Sequence, residues 1–390
     1  MVYMREWAFL SAGFRVFFFL GSMAALLILP YWLLLLSGQF SYLPSYFSPY
    51  LWHVHEMIFA MVAAIIIGFV YTAVPNWTGR KTPTGLLLAL LALLWIAGRV
   101  AVFFSTFLHP YLVMGLDGLF LPLAALGIIP ALVGAGNKRN YFLPVILLIF
   151  TLFNMAFHLS ALEMLNVEPR QIFEAALLMV VLLMNVIGGR IIPAFSKGKY
   201  PALKLKDRPR LLPLSVGLIV LLIILRFIGA ADQWAGLVAL GAGLVTLIRL
   251  TGWQAWKVWR DPLLFILPMG YAWIVAGFFL YAAALLMGDI SLSPALHAFS
   301  VGAVGSLTLG VMSRASLGHS GLALKNDILL TLMFMAITLA AFSRTILLLV
   351  LENFPAFEYG AIVNMSAIFW VLAYGLFLFR FTPIFFRPRL

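Results

Sequence analysis

Residues 51–74 read LWHVHEMIFAMVAAIIIGFVYTAV, an apolar run whose histidines and only charged residue, His53, His55 and Glu56, all lie at its start. At about 1.5 Å per residue, a helix of this length crosses the roughly 30 Å hydrocarbon layer of a bilayer. Ionisable side chains are costly inside that layer and usually face the bundle interior or a polar cavity. The stretch therefore predicts a membrane-spanning helix with a functional group of residues at one end.

The rest of the chain has a similar composition. Of its 390 residues, 64% are hydrophobic and 10% are charged, and the mean hydropathy is +1.08. Soluble domains average about 45–50% apolar and about 25% charged residues, so a soluble fold is excluded. Apolar runs predict an all-α polytopic membrane protein with about twelve transmembrane helices in a single transmembrane domain, 1–390. The predicted spans are 14–36, 51–74, 85–108, 111–135, 142–162, 173–192, 211–229, 234–250, 263–287, 294–312, 328–351 and 359–379.

The positive charge of the chain is explained by membrane topology. There are 25 Lys and Arg against 13 Asp and Glu, a net charge of +12. With the N-terminus in the cytoplasm, nearly all basic residues fall at that side, and the exceptions are Arg99, Arg170, Arg226 and Arg344. This asymmetry follows the positive-inside rule and predicts cytoplasmic N- and C-termini. We expect a membrane protein in contact with lipid, and no nucleic-acid partner.

Five of the six histidines fall at the outer ends of the predicted spans. They are His53, His55, His109, His158 and His297, whereas His319 follows the tenth span on the cytoplasmic side. A single histidine in such a place is often only a capping side chain. Five at one depth predict a metal or haem site, because imidazole binds Zn, Cu and Fe and is a common axial ligand of haem iron. Since the chain has no cysteine, any redox metal must be held mainly by imidazole.

The spacing of these residues separates their roles. On a regular helix His53 and His55 point roughly 200° apart, so we expect them to serve different centres unless the segment is unwound. Glu56 is the candidate catalytic residue: it is expected to orient a ligand imidazole or to move protons. The alternative for Glu56 is a favourable interaction with a helix N-terminus. Asn154 lies one turn before His158 and is expected to bond to its ring.

The second, sixth and tenth spans each end on the cytoplasmic side with Gly and Arg close together. The residues concerned are Arg80, Arg190 and Arg314, with His319 shortly after the last. A recurrence every four spans suggests three quasi-equivalent four-helix units. The arginines are candidates for binding haem propionates, although positive-inside anchoring with Gly at the helix ends is the favoured explanation for each.

Six segments resemble the NnrS family of bacterial inner-membrane proteins. They are WHVHEM (52–57), PNWTGR (75–80), NMAFHL (154–159), GGRIIPAF (188–195), HAFSVGAVG (297–305) and SRASLGHSG (313–321). The resemblance implies haem b, a second metal that is copper or iron, and a part in nitric oxide metabolism and nitrosative stress. By motif match it carries over His53, His55, His158, His297 and His319 with Glu56, Arg80, Arg190 and Arg314. His109 matches no motif and is expected to be accessory. A weaker, fold-level analogy is to the twelve-helix core of the haem-copper oxidases.

Two functions follow as hypotheses. The first is a nitric oxide reductase of denitrification, with His53, His55, His158 and His297 as metal or haem ligands near the periplasmic face. Quinol is its expected electron donor, because the chain has no c-type haem attachment motif and no cysteine-ligated copper centre. The second is a non-enzymatic haem- or copper-binding protein that senses nitric oxide or protects against it. A secondary transporter, suggested by the twelve spans and by broken helices at Pro75, Pro193 and Pro268, has less support.

Overall fold

The computed structural model describes residues 8–206, 208–351, 354 and 358–388, and every regular element in these ranges is helical. Within the described ranges, eleven helices are long and apolar enough to cross a membrane, and a twelfth, α7, is a shorter apolar helix of 17 residues. The chain is thus a polytopic membrane protein. The helices are α1 (Gly13–Leu36), α2 (Pro49–Thr78), α3 (Gly85–Phe103), α4 (Pro110–Gly134), α5 (Lys138–Ala161), α6 (Pro169–Lys199), α7 (Leu211–Phe227), α8 (Asp232–Gly252), α9 (Pro262–Met287), α10 (Leu292–His319), α11 (Ile328–Leu351) and α12 (Tyr359–Phe385).

Each of the twelve predicted spans coincides with one helix. The largest difference is at α6, which extends beyond its predicted span at both ends, from Pro169 to Lys199. The next is at α10, which has 28 residues and continues through Arg314 to His319. The sequence prediction ended this span at residue 312 because the following residues are polar, but polar residues at a membrane boundary do not end a helix whose backbone hydrogen bonds continue.

Local signals explain where α2 begins and ends. Ser48 precedes the helix and accepts a hydrogen bond from the Leu51 N–H at 3.4 Å, and Pro49 occupies the first turn, where its missing N–H does no harm. Gly79 ends the helix in the left-handed conformation, with φ +68°. These two ends place His53 and His55 within the first two turns.

Three transmembrane helices contain a π-helical segment. In α2 it covers Glu56–Val62, directly after His55; in α10 it covers Ala298–Gly305, directly after His297; in α11 it covers Ser343–Leu347. Such segments are rare and occur frequently at functional sites, because the extra residue in the turn changes the direction of the side chains around it.

The chain forms two compact units, each built from separate stretches of sequence. Unit 1 comprises Met1–Phe173, Arg314–Ala323 and Phe377–Leu390, and unit 2 comprises Glu174–Ser313 and Leu324–Leu376. Both the single domain 1–390 and the three four-helix units stay predictions. Within unit 1, α1 packs closely against α2 because Gly68 leaves room for the ring of Phe18. Within unit 2, Gly277 of α9 makes the same kind of room for Phe299.

Candidate metal centre

The first imidazole of the candidate centre is His55 of α2, which is fully buried in unit 1. Its Nε2 atom lies 2.9 Å from Asn154 Oδ1 and 3.2 Å from Asp117 Oδ2, and its Nδ1 atom lies 3.0 Å from Glu56 Oε1. Asn154 donates from Nδ2 to Asp117 Oδ2 at 2.7 Å. The amide oxygen of Asn154 is therefore the atom that faces His55. Both ring nitrogens of His55 therefore face oxygen acceptors.

Asp117 lies at the middle of the cluster. It occupies the first half of α4, just before the helix is interrupted at Leu119, and it is 3% exposed. Gly98 of α3 permits the close approach of this backbone, since a Cβ at that position would lie 3.1 Å from the Asp117 Cα. A carboxylate is thereby held in the apolar interior by the packing of two helices.

His158 of α5 supplies the second imidazole, and it too is fully buried. Its Nε2 atom lies 2.9 Å from Asp117 Oδ2, the same oxygen that His55 faces. Its Nδ1 atom is hydrogen-bonded to the hydroxyl of Tyr46, which comes from the loop before α2. Burial raises the pKa of Tyr46, so the phenol stays protonated at neutral pH. The two imidazoles thus direct their Nε2 atoms at one carboxylate and their Nδ1 atoms away from it.

The charges of the cluster favour a cation. Arg99 of α3 donates from Nη1 to Glu56 Oε1 at 2.6 Å and also pairs with Asp117 Oδ1. Two carboxylates therefore share one guanidinium, which leaves one net negative charge when both histidines are neutral. The side chains of Glu56 and Asp117 are only 4% and 1% exposed, so solvent screens this charge little.

A divalent cation bound by His55, Asp117 and His158 satisfies these groups together. Their ligand atoms lie within 4.8 Å of one another. With Nε2 as the ligand atom, the Nδ1–H of His55 donates to Glu56 and that of His158 donates to Tyr46, the way in which metal-bound imidazoles are usually held. Two imidazoles and one carboxylate are the ligands of non-haem Fe(II) centres and also suit Zn and Cu(II). The residues present therefore fit a metal ion.

A comparison with protein-family models places the chain. The model described as NnrS protein matches residues 8–389, nearly the whole length. The chain belongs to the NnrS family. Members are membrane proteins implicated in nitric oxide metabolism, and the family is associated with haem and metal binding. No curated protein matches the chain.

Two of the NnrS segments meet in the cluster. WHVHEM contributes His55 and Glu56, and NMAFHL contributes Asn154 and His158. The sequence predicted a bond between Asn154 and His158, but Asn154 bonds to His55. Its amide nitrogen donates to Asp117 Oδ2, the oxygen that His158 Nε2 also faces. Glu56 contacts His55 Nδ1, the contact that an orienting role requires. The contact does not test its catalytic role.

The other predicted ligands lie outside this cluster. His53 stacks on Trp32 with ring centroids 4.1 Å apart, on a different side of α2 from His55, as helical geometry predicts. His109 is exposed at the start of α4. His297 is half-buried in unit 2, where its Nδ1–H donates to the Ser293 carbonyl oxygen at 2.7 Å. The assignment of His53 and His297 as ligands stays a prediction.

The cytoplasmic-end residues are likewise apart from the cluster. His319 Nε2 lies 3.3 Å from Asn76 Nδ2, so the PNWTGR and SRASLGHSG segments of NnrS meet in unit 1. Arg80 is exposed, and its guanidinium lies against Gly134. Arg190, in unit 2, and Arg314, in unit 1, are half-buried. A role for these arginines in binding propionates stays a prediction.

Three members of the cluster were missed from the sequence: Asp117, Arg99 and Tyr46. Asp117 and Arg99 had a usable signal, because each is a lone charge inside an otherwise apolar span and such residues are functional candidates. The sequence interpretation used Arg99 only as a marker of topology and gave Asp117 no role in the site. Tyr46 had no such signal, since a tyrosine in a loop at the membrane surface is ordinary.

Proposed function

We propose that this NnrS protein reduces nitric oxide to nitrous oxide. The observation that supports this most is the convergence of two imidazole Nε2 atoms on Asp117 within a buried, net-negative cluster. The reaction joins two NO molecules, consumes two electrons and two protons, and releases N2O and water. Nitric oxide is small and uncharged, so it reaches a buried membrane site through the lipid. We propose quinol as the source of the electrons and of their accompanying protons.

In this proposal His55, His158 and Asp117 hold the second metal, iron or copper, and His297 is a ligand of haem b. When bound, the metals supply a site for NO and accept the electrons. The protein's own groups have separate tasks: Glu56 and Tyr46 fix the orientation of the two imidazoles, and Arg99 keeps both carboxylates in place. Burial of the cluster excludes bulk water. Glu56 as a proton carrier, His53 as a further ligand, and Arg80, Arg190, Arg314 and His319 as cofactor-binding residues remain part of the proposal.

A second candidate function is non-enzymatic binding of haem or metal that protects against nitrosative stress or senses NO. The burial of the cluster favours it, since His55 and His158 have no exposed surface at which an electron donor, quinol included, makes direct contact. In either case we propose the bacterial inner membrane as the location.

The test is an anaerobic assay of the purified protein with NO and a reduced quinol analogue, together with its optical spectrum and metal content. N2O formation that depends on quinol supports the reductase. Bound haem and metal without N2O supports the binding function, and the absence of both cofactors contradicts both.

Substitutions in the cluster test whether it holds the metal on which N2O formation depends. His55→Ala and His158→Ala are expected to lose the non-haem metal and N2O formation. His109→Ala, an exposed residue outside the cluster, is the matched control and is expected to behave like wild type. Full metal content in both cluster variants would exclude this site.

A further inference from the structure

A second polar network lies in unit 2, at the beginnings of α10 and α12 and within α11. Arg344 donates from Nη2 to Ser293 Oγ at 3.2 Å and to the Tyr359 hydroxyl at 2.9 Å. Ser293 in turn accepts the Nδ1–H of His297 at its carbonyl oxygen. One residue, Ser293, therefore connects Arg344 to the predicted ligand His297.

Arg344 has an N–H group, at Nη1, that this network does not use. It is 7% exposed, and its Nη1 atom is buried without a hydrogen-bond partner in the part of the chain that the structure describes. Its two hydrogen-bonding partners are neutral, and among the residues described here, 8–206, 208–351, 354 and 358–388, no carboxylate forms an ion pair with it. A guanidinium inside a membrane span is costly without a counter-charge. An anionic oxygen at Nη1 would provide both the charge and the acceptor.

The backbone around this network resembles that around the metal centre of unit 1. There, His55 directly precedes the π-helical segment of α2. In unit 2, His297 directly precedes the π-helical segment of α10, and Arg344 lies within that of α11. Because π-helical segments concentrate at functional sites, the repetition points to a second ligand site in unit 2.

The hydrogen bond of His297 assigns its tautomer. A carbonyl oxygen only accepts, so Nδ1 carries the proton, and in the neutral ring Nε2 carries the lone pair. This is the arrangement of a metal-binding imidazole whose other nitrogen is held by a backbone carbonyl. The donor set in unit 2 is thus one imidazole Nε2 and one guanidinium.

We infer that Arg344 binds a haem propionate at Nη1 and that His297 Nε2 is the iron ligand of the same haem. The inference rests on the proposed function, which supplies the haem. It adds Arg344, which shares a hydrogen-bonded network with His297, to the cytoplasmic-end arginines as a further propionate partner. A lipid phosphate offers the same anionic oxygens, and the experiment separates the two.

The test uses the full-length protein, freed of haem and held in nanodiscs of uncharged lipid. It is titrated with haem and with haem dimethyl ester, whose propionates carry no charge, and binding is followed by Soret absorbance. Wild type is expected to prefer haem over the ester by about 10- to 100-fold, the range of one charge-assisted hydrogen bond. Arg344→Gln is expected to bind both with the affinity that wild type has for the ester, and Arg344→Lys to keep part of the preference.

Controls make each outcome decisive. Arg260→Gln, at an exposed arginine of unit 2 whose guanidinium lies over the Trp259 ring, is expected to keep the full preference. His297→Ala is expected to lose the Soret band of ligated haem with either compound. If Arg344→Gln does not fold, judged by size exclusion and the thermal midpoint, the loss of preference in Arg344→Lys decides.

Two results would overturn the inference alone: an unchanged haem preference in the Arg344 variants, or ligated haem in His297→Ala. If the protein bound phosphatidylglycerol added to the nanodisc membrane, and this binding depended on Arg344 while the haem preference was unchanged, the anion would be assigned to lipid phosphate. Failure of wild type to bind haem at all would instead overturn the haem part of the proposed function, and this inference with it.

Discussion

Two buried polar clusters, one in each unit, differ in how their hydrogen-bonding groups are matched. In unit 2, Arg249 donates to Asn185 Oδ1 at 2.5 Å and to the Tyr271 hydroxyl at 2.8 Å. Tyr271 donates to Asn185 Oδ1 at 2.6 Å, and the Asn185 amide donates to Ser215 Oγ at 3.0 Å. In unit 1, by contrast, His55 has oxygen acceptors at both ring nitrogens.

The difference makes the His55 cluster the candidate binding site. Donors meet acceptors throughout the Arg249 cluster, and Gly189 of the GGR segment makes room for its guanidinium, so the cluster supports itself. The His55 cluster has an excess of acceptors and of negative charge, which a cation corrects. Burial of polar groups is common to both, and the imbalance between donors and acceptors separates a binding site from a structural network.

The largest expected effect is that of Arg99→Met, which leaves Glu56 and Asp117 buried without their shared guanidinium. We expect the free energy of unfolding to fall by about 3–5 kcal/mol in metal-free protein, and added Fe(II) or Zn to restore part of the loss. The measurement is the thermal midpoint in detergent with and without metal. Arg249→Met is the matched control from unit 2: it is expected to cost about 1.5–3 kcal/mol and to show no metal-dependent recovery.

The next effect concerns Asp117→Asn, which keeps the shape of the side chain and removes its charge. We expect the affinity of the cluster for metal to fall by more than about 100-fold, because a direct ligand is lost where even groups that orient ligands contribute 10- to 100-fold. Titration with metal under anaerobic conditions measures it. Wild-type affinity in this variant would mean that the metal is bound elsewhere.

A smaller effect is expected for Glu56→Ala, which removes the acceptor of the His55 Nδ1–H. Metal affinity is expected to fall by about 10- to 100-fold, and Glu56→Gln to recover most of it, since the amide oxygen still accepts. If Glu56 also carries protons, Glu56→Gln keeps its metal but loses N2O formation. Metal affinity and activity measured together distinguish the two roles.

The smallest effect is expected for Gly98→Ala. The added methyl group would lie 3.1 Å from the Asp117 Cα and displace the carboxylate slightly, which we expect to lower metal affinity by up to about tenfold. Gly115→Ala is the control in the same helix as Asp117, because nothing lies within 4 Å of a Cβ there. Equal affinities in the two variants would show that the approach of α3 to α4 does not position Asp117.

The transmembrane helices were predictable because hydrophobic length is a local property. Each of the twelve spans read from apolar runs matches a helix, and Pro49 and Gly79 mark the ends of α2 as their backbone preferences require. His55 and His158 could be named as candidate ligands from residue type alone, since in a chain without cysteine imidazole is the main remaining metal ligand. Their role as ligands stays a prediction. The separation of His53 from His55 followed from helical rotation.

The composition of the cluster depends on contacts between residues far apart in the chain. Asp117 joins His55 and His158 because Gly98 lets α3 and α4 approach, and no periodicity in the sequence encodes that approach. The amide oxygen of Asn154 faces His55 because its amide nitrogen donates a hydrogen bond to Asp117. Sequence therefore determines which spans form and which residue types can bind metal, whereas packing between helices decides which side chains share a carboxylate, since that depends on distances between helices.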